Sequence, residues 1–284
     1  MRFTQINMHR ALNAAKTLHS QLGQSSQIGL ITEPYTHDNK CAILPPGFKS
    51  IPRNALPIRP RAAIFHHPDT TLVVMEHLSN ADCAVALMPG DRPLLIASIY
   101  LDIGKDCIPG WLEELVDFAS RKSYQLLLAA DTNAHTPLLG GEVTNARGEL
   151  LEQFILSNSL MIHNEGDTPT FDVIRDQRRL TSYIDATISC GTYQILGWRV
   201  DSSYNGSDHN TILFEIPVAT ATTIQVRPWA KAKWDVFKRS LEEANLYTPE
   251  SATCKKLDKM VTLLYRVLGE ALDKACPLIH VRSK

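Results

Sequence analysis

Short apolar runs separated by polar stretches dominate the first 217 residues of the chain. The runs are four to eight residues long and rich in aliphatic and β-branched side chains, which is typical of buried strands. The segments that we interpret as strands are IGLIT (28–32), CAIL (41–44), AAIF (62–65), TLVVM (71–75), CAVALM (83–88), LLIASIY (94–100), YQLLLAAD (124–131), YIDATIS (183–189), QILGWRV (194–200) and TILFEI (211–216).

Three helices are predicted among these strands. Met8, Leu12, Ala15, Leu18 and Leu22 recur at helical spacing and predict an amphipathic helix over 8–22. Two further helices are predicted in segments GWLEELVDFASRK (110–122) and GELLEQFILSNS (148–159). Strands in groups with helices between them favour an α/β layered sandwich over a strict βαβ repeat.

The pattern changes after the last of these strands, so we expect one domain over 1–217 and a different region over 218–284. VATATTIQV (218–226) is typical of a linker or an edge segment. Segments 228–246 and 254–277 predict basic amphipathic helices, and the second has a broad apolar face that needs a partner. The chain stops at LIHVRSK without a natural finish, and we therefore expect it to be part of something longer.

Composition changes this picture little. The chain has 284 residues, 44% apolar and 21% charged, which is ordinary for a soluble globular protein. The sequence contains no run of 18 apolar residues, so no membrane span is predicted, and residues 1–20 do not resemble a signal peptide. The six cysteines are scattered without a CxxC pair, so we expect free thiols instead of a zinc site or a disulfide framework.

The charge is unevenly distributed along the chain. Residues 1–217 hold 17 basic and 23 acidic side chains, whereas residues 218–284 hold 12 and 7. Because nucleic-acid binders usually present a basic surface, the first part is not an obvious one. Its acidity fits a carboxylate-lined metal site, or solvated surface carboxylates, which are the commoner cause.

A set of polar side chains stands where a predicted strand ends or a loop begins. Singly, a strand-end Asp or Asn is most often a turn former, and the Asn-Gly-Ser-Asp-His sequence is itself turn chemistry. As a set they favour a site, because sites in α/β layers assemble at strand ends. The members are Asn7, Glu33, Tyr100, Asp131, Asn133, Asp185, Asp208 and His209.

These residue types suit phosphodiester hydrolysis. A hard divalent cation prefers carboxylate oxygens, which Glu33 and Asp208 can supply. Asp131 can position or deprotonate water, and Asp185 can hold a histidine charged or in one tautomer. Donors to the phosphate oxygens stabilise the developing charge, and the candidates for that role are Asn7, Tyr100, Asn133 and the imidazolium of His209.

Seven segments, in order, resemble the endonuclease domain of the polyprotein of non-LTR (LINE-type) retrotransposons, most of all the insect elements that insert at fixed genomic targets. They span about residues 1–217 and are QINMHRA, ITEPY, ASIYLD, LLLAADTNAHTPLLGG, TPTF, TSYIDATIS and GSDHNTILFEI. The resemblance implies the exonuclease–endonuclease–phosphatase fold, a four-layer α/β sandwich shared with DNase I and apurinic endonucleases. We expect that fold with a helical C-terminal extension.

The resemblance also implies a role for each site residue. Glu33 is expected to bind the metal, Asp208 to support the metal or the attacking water, and Asp131 to activate that water. Asp185 is expected to pair with His209. The scissile phosphate is expected to be held by Asn7, Tyr100 and Asn133.

DNA contacts are expected around a variable hairpin that covers FDVIRDQRRL (171–180). The residues concerned are Thr170, Arg175, Arg178, Arg179, Ser182 and Ser207. The alternative is a solvated loop in which Asp172 and Asp176 neutralise the arginines. Apurinic endonucleases of this fold carry Asp at the position of His9, and this departure favours the retrotransposon branch over abasic-site repair.

The sequence therefore predicts a Mg²⁺-dependent DNA endonuclease, with Mn²⁺ as the alternative ion. It is expected to nick one strand of double-stranded DNA and to leave a 5′-phosphate and a 3′-hydroxyl that primes reverse transcription of the element RNA. The expected partners are a reverse transcriptase domain and target DNA, with synthesis in the cytoplasm, action in the nucleus and no membrane association. The alternatives are an abasic-site endonuclease or phosphatase of the same fold, or a module that binds DNA without cutting it.

Overall fold

The computed structural model describes residues 1–22, 27–105, 108–217, 224–244 and 254–281. The chain divides into two compact units, Met1–Ala219 and Thr220–Lys284. No helix in the described part of the chain combines the length and apolar character that a membrane span requires. Among the cysteines that the structure describes, Cys41, Cys83, Cys190 and Cys276 are free thiols.

The described residues of the first unit form sixteen strands and three α-helices. The helices are α1 (Leu12–Gln21), α2 (Gly110–Lys122) and α3 (Ala146–Ser157). The strands are β1 (Arg2–Asn7), β2 (Ile28–Thr32), β3 (Thr36–His37), β4 (Lys40–Cys41), β5 (Lys49–Ile51), β6 (Ala62–His66), β7 (Val73–Val74), β8 (Cys83–Met88), β9 (Leu94–Tyr100), β10 (Gln125–Asp131), β11 (Met161–Ile162), β12 (Phe171–Arg175), β13 (Arg178–Ser182), β14 (Asp185–Cys190), β15 (Leu196–Asp201) and β16 (Thr211–Glu215).

Two six-stranded sheets face each other in this unit, in the orders β15-β16-β1-β2-β6-β5 and β11-β14-β10-β9-β8-β7. Apolar side chains of both sheets, such as Phe3 and Phe214 from one and Ile96 and Leu127 from the other, fill the space between them. Helix α1 covers the outer face of the first sheet, and α2 and α3 cover the second. The four-layer α/β sandwich predicted from the sequence is confirmed.

Polar side chains also lie buried between the sheets. Gln5 donates to the carbonyl oxygen of Ala186 over 3.1 Å and accepts from the Thr187 hydroxyl over 2.8 Å. Ser98 donates to the Ile31 carbonyl oxygen over 2.8 Å. Because each buried donor has found an acceptor on the opposite sheet, these bonds define how one sheet sits on the other.

Three predicted elements are shorter than the apolar pattern indicates. Helix α1 begins at Leu12 and not at residue 8, because His9 and Arg10 have φ of 47° and 55°, outside the helical region. The predicted strand at 41–44 ends at Cys41, since Ile43 has φ of 56°. The strand predicted at 71–75 is reduced to Val73–Val74.

The second unit contains α4 (Trp234–Glu243), α5 (Cys254–Ala275), β17 (Ile224–Val226) and β18 (Ile279–Val281), with the two strands paired antiparallel. The helix predicted from 228 therefore begins later, after a short 3₁₀ turn at Trp229–Lys231. Residues 218–223 and 245–253, which include most of the predicted linker and the end of that helix, lie outside the described residues.

Gly148 tests the contact between α3 and the loop that follows β10. A Cβ atom at this position would lie 2.0 Å from the backbone oxygen of His135. We expect Gly148→Ala to lower the free energy of unfolding by about 1–3 kcal/mol, because the backbone must move to relieve the clash. Urea denaturation measures this change. Gly110→Ala is the control, since a Cβ at that position meets nothing within 4 Å. If Gly110→Ala lost as much stability as Gly148→Ala, the explanation would be contradicted.

Candidate active site

The strand ends of both sheets meet at one edge of the sandwich. In the second sheet, Asp131 at the end of β10 is in register with Tyr100 of β9 on one side and with Asp185 of β14 on the other. In the first sheet, Asn7 at the end of β1 is in register with Thr32, the residue before Glu33. Residues that are far apart in the sequence therefore lie in two short facing rows.

A buried hydrogen bond joins the two rows. The amide nitrogen Nδ2 of Asn7 donates to Oδ2 of Asp131 over 2.7 Å, and both side chains are 2% exposed. The backbone N–H of His9 donates to Oδ1 of Asn7 over 2.7 Å. This second bond fixes the orientation of the amide, so that its nitrogen faces the carboxylate.

Asp185 and His209 form a second buried pair beside Asp131. Nδ1 of His209 lies 2.8 Å from Oδ2 of Asp185. The hydroxyl of Thr170 accepts the backbone N–H of Asp185 over 3.1 Å, and the ring of Phe171 meets the imidazole edge-on at 5.2 Å. The pair is therefore held by backbone and ring contacts as well as by its own bond.

The loop that contains Ser207, Asp208 and His209 is held in place by several hydrogen bonds. The hydroxyl of Ser207 donates to the carbonyl oxygen of Asn7 over 2.7 Å and accepts the N–H of His209 over 3.2 Å. Asn205 donates to the carbonyl oxygen of His209 over 2.8 Å. These bonds place His209 against the end of β1, and they use the Ser207 hydroxyl internally.

Burial and charge set the protonation of this cluster. Burial raises the pKa of Asp131 to about 7, and the neighbouring charge of Asp185 also raises it. The charge of His209 and the hydrogen bond from Asn7 lower it, but by less. Burial alone would lower the pKa of His209. The charge of Asp185 and its hydrogen bond with the ring outweigh burial, the charges of Asp131 and Asp208 act in the same direction as Asp185, and the pKa rises to about 9. His209 is therefore an imidazolium at neutral pH, and it can donate a proton or a hydrogen bond.

Tyr100 and Asn133 are donors next to this cluster. Burial raises the pKa of Tyr100 to about 12, and the charges of Glu33 and Asp131 add to the shift, so both carboxylates lie within electrostatic reach of the protonated phenol. Asn133 has φ of 50°, and its amide donates one N–H to the Leu101 carbonyl oxygen over 2.9 Å. A second N–H of this amide is left to donate.

The two expected metal carboxylates each face a cation. Glu33, with φ of 43° and a side chain 13% exposed, forms an ion pair with the more exposed Arg10. Oδ2 of Asp208 lies 2.6 Å from Nδ1 of His9 and 3.4 Å from a guanidinium nitrogen of Arg175. Both are hard oxygen donors that suit Mg²⁺ or Mn²⁺.

A second group of side chains that could in type bind a metal lies close together in the described part of the chain. Asp131, Asp185 and His209 each have a ligand atom within 4.8 Å of the others, and all three are buried. A protonated imidazole that is bonded to Asp185 has no free lone pair for a metal. We therefore interpret this cluster as the proton-transfer part of the site and keep Glu33 and Asp208 as the metal-binding candidates.

The expected DNA-contacting residues differ in their surroundings. Strands β12 and β13 form a hairpin with Ser182 at its base, and Arg179 makes a bidentate pair with Asp172 at 2.6 and 2.8 Å. Arg178 is exposed and has no ion pair with any residue that the structure describes. Thr170 is fully buried, and its hydroxyl accepts two backbone N–H groups and so holds the Asp185 strand; its expected contact with DNA stays a prediction.

Residues 94–213 match the family model described as "Endonuclease-reverse transcriptase". The endonuclease domain of TRAS1, a telomere-specific non-LTR retrotransposon, has 29% identity and a TM-score of 0.67, over 76% of this chain and 98% of that one. The resemblance to retrotransposon endonucleases is confirmed. None of the curated proteins matches the chain.

More distant solved structures share the fold of this chain. The Xenopus laevis APE2 catalytic domain is 14% identical with a TM-score of 0.53, over 76% of this chain and 91% of that one. An AP endonuclease from Archaeoglobus fulgidus is 13% identical with a TM-score of 0.52, over 77% of this chain and 100% of that one. These distant structures show the DNase I-like fold, and the family model together with the likeness to TRAS1 supports a nuclease function.

Sequence reasoning missed two residues of the candidate site. Arg10 pairs with Glu33, and Asn205 holds the loop that carries His209. Arg10 lies within the QINMHRA segment, and Asn205 lies two residues before Ser207, so their positions were visible. Their contacts depend on loops that the apolar pattern does not describe.

The pKa of His209 can be tested directly. Asp185→Asn removes the charge that opposes burial, so we expect the pKa of His209 to fall from about 9 towards its ordinary value of 6.5. Nitrogen-15 NMR of the imidazole in EDTA measures this pKa. His163, whose pKa is lowered by burial, is the internal control and should not change. A His209 pKa unaffected by the substitution would show that Asp185 does not keep the ring charged.

Proposed function

We propose that this chain is a Mg²⁺-dependent endonuclease that nicks one strand of double-stranded DNA and leaves a 5′-phosphate and a 3′-hydroxyl. The observation that carries this proposal is the convergence of Asp131, held by Asn7, with the charged Asp185–His209 pair at one edge of the two sheets. A carboxylate base beside an imidazolium donor can supply both the proton acceptor and the charge stabilisation that speed phosphoester hydrolysis.

Each side chain has a step in the proposed reaction. Asp131, deprotonated, accepts a proton from the attacking water as the water oxygen bonds to phosphorus, and its pKa of about 7 lets it act as a base near neutral pH. The P–O3′ bond breaks, and the departing 3′ oxygen takes a proton from solvent to become the 3′-hydroxyl. His209, charged up to about pH 9, stabilises the negative charge that builds on the phosphate. Tyr100, Asn7 and Asn133 donate to the remaining phosphate oxygens.

A divalent cation fits the exposed side of this site. Glu33 and Asp208 offer hard oxygen donors, and their present partners, Arg10 and His9, have side chains 43% and 56% exposed that can move away. The bound ion would supply Lewis-acid charge at the phosphate oxygens and would lower the pKa of the nearby Asp131.

Metal binding can be tested without an activity assay. We expect Mg²⁺ to raise the melting temperature of the unsubstituted chain, because a ligand that binds only the folded state stabilises it. Glu33→Gln should require a higher Mg²⁺ concentration for the same shift, whereas Glu113→Gln on the exposed face of α2 should behave as the unsubstituted chain does. Identical Mg²⁺ curves for Glu33→Gln and the unsubstituted chain would remove Glu33 from the metal site.

Nicking itself is the central test of the proposal. The unsubstituted chain should convert supercoiled plasmid to open circles with Mg²⁺, and EDTA should stop the reaction. Asp131→Asn and His209→Ala should each lower the rate by about 10²–10³ or more. Asp117→Asn and His77→Ala, exposed positions on or near α2, are the matched controls. If the chain bound the plasmid without nicking it, the result would instead indicate a module that binds DNA and does not cut it.

A parallel assay separates the branches of the fold. The retrotransposon branch predicts that a duplex with an abasic-site analogue is cut no better than an undamaged one. His9, bonded to Asp208, occupies the position where abasic-site enzymes carry Asp. A strong preference for the abasic duplex would favour the repair function.

The hairpin is the proposed DNA contact, and its three arginines are not equivalent. Arg178 lacks an ion pair within the described residues, whereas Arg179 and Arg175 face Asp172 and Asp208. We expect Arg178→Ala to weaken DNA binding in EDTA and to lower the salt slope of log K by about 1. Arg121→Ala at the end of α2 is the control, and equal salt slopes would place the hairpin away from DNA.

The biological setting follows from the same resemblance. The proposed nick supplies a 3′-hydroxyl primer for target-primed reverse transcription of element RNA, by a reverse transcriptase domain of the same polyprotein. The DNA substrate implies action in the nucleus. Support comes from the family model, whose description joins an endonuclease to a reverse transcriptase, and from the likeness to TRAS1.

A further inference from the structure

Arg61, which directly precedes β6, is held by two carboxylates. Its Nε and Nη2 atoms lie 2.6 and 2.7 Å from the two oxygens of Asp82, and its Nη1 lies 2.7 Å from Oδ2 of Asp102. The side chain is 25% exposed. Such a parallel pair of bonds fixes the plane of the guanidinium as well as its position.

This fixed plane lies against Tyr100. Cζ of Arg61 is 4.8 Å from the centre of the Tyr100 ring, within the range of a cation–π contact. The backbone N–H of Tyr100 donates to the carbonyl oxygen of Asp82 over 2.9 Å. Asp82 therefore holds the backbone of Tyr100 and the guanidinium that lies on its ring.

The loop after Tyr100 is anchored to the same group. Gly104 donates its N–H to Oδ1 of Asp102 over 3.0 Å, and Arg147 donates to the Asp102 carbonyl oxygen. The hydrogen bond from Arg61 lowers the pKa of Asp102, so the contact is between ionised groups. The backbone after Tyr100 is thus fixed from several sides.

The charges around Arg61 argue against a direct role in binding phosphate. Two carboxylates surround one guanidinium, so the local charge is negative and repels an anion. Lysine would not reproduce the arrangement, because one ammonium cannot make a planar fork to Asp82, reach Asp102 and present a flat face to a ring.

We propose that the side chain of Arg61 is a positioning residue for the nuclease reaction, and that with Asp82 and Asp102 it holds the Tyr100 hydroxyl towards the scissile phosphate. The inference rests on the proposed nicking function. A displacement of about 1 Å at such a donor is enough to cost up to about 10²-fold in rate.

The kinetic test uses Arg61→Lys and Arg61→Ala, with Arg92→Ala at the opposite end of β9 as the control. We expect kcat for nicking to fall about 10–100-fold in Arg61→Ala and less in Arg61→Lys, with KM for DNA changed less than about threefold. Melting curves establish that each variant is folded. Loss confined to KM, or kcat equal to that of Arg92→Ala, would overturn the proposal.

A double-mutant cycle separates positioning from a general loss of structure. Tyr100→Phe keeps the ring on Arg61 but removes the hydroxyl. We expect Arg61→Lys to cost less than about twofold in that background, because the group it positions is gone. Additive losses would show that Arg61 does not act through the hydroxyl.

A spectroscopic readout keeps this inference distinct from the proposed function. In EDTA, the Tyr100 ring resonances should shift and change their flip rate in Arg61→Ala, and those of Tyr193, bonded to the Leu126 carbonyl oxygen, should not. Unchanged Tyr100 signals would overturn the positioning of the ring whether or not the chain nicks DNA. Failure of the unsubstituted chain to nick would instead overturn the proposed function, and with it the catalytic part of this inference.

Discussion

The hydrogen bond between Asn7 and Asp131 is the constraint on which the candidate site depends. It joins the last residue of a strand in one sheet to the last residue of a strand in the other. It can form only if the two sheets end at the same level, and the buried bonds of Gln5 with Ala186 and Thr187 set that level. A buried carboxylate is costly to keep charged, so the amide partner and the nearby imidazolium offset its desolvation.

The candidate site is rich in carboxylates. Two carboxylates, Asp131 and Asp185, share one imidazolium, and Glu33 and Asp208 lie on the more exposed side. Under the proposed function, such a site would attract a divalent cation but repel a DNA backbone, so affinity for DNA would have to come from elsewhere. The arginines of the β12–β13 hairpin are exposed cations in a position to supply it.

The positions of polar residues at strand ends could be predicted from the sequence, because a polar residue that ends or interrupts an apolar run is a local feature. Tyr100, Asp131 and Asp185 each interrupt or end an apolar run, and pairing of three neighbouring strands places them in one row. The start of α1 was wrong because left-handed φ values at His9 and Arg10 leave no trace in apolar spacing. The backbone contacts of the Thr170 hydroxyl went unnoticed, since a threonine hydroxyl next to a hairpin serves a backbone or a ligand equally well. Arg61 went unnoticed because its partners lie 21 and 41 residues away.

The β12–β13 hairpin is in direct contact with the loop that contains Asp208 and His209. Asp172 donates its backbone N–H to the carbonyl oxygen of Asp208 over 2.9 Å, and Phe171 packs edge-on against His209. Arg175 reaches the Asp208 carboxylate itself. These contacts therefore link the hairpin directly to Asp208 and His209. Under the proposed function, a DNA contact that displaces the hairpin would also displace these two residues, so the groove shape of a bound target would act on the geometry of the site.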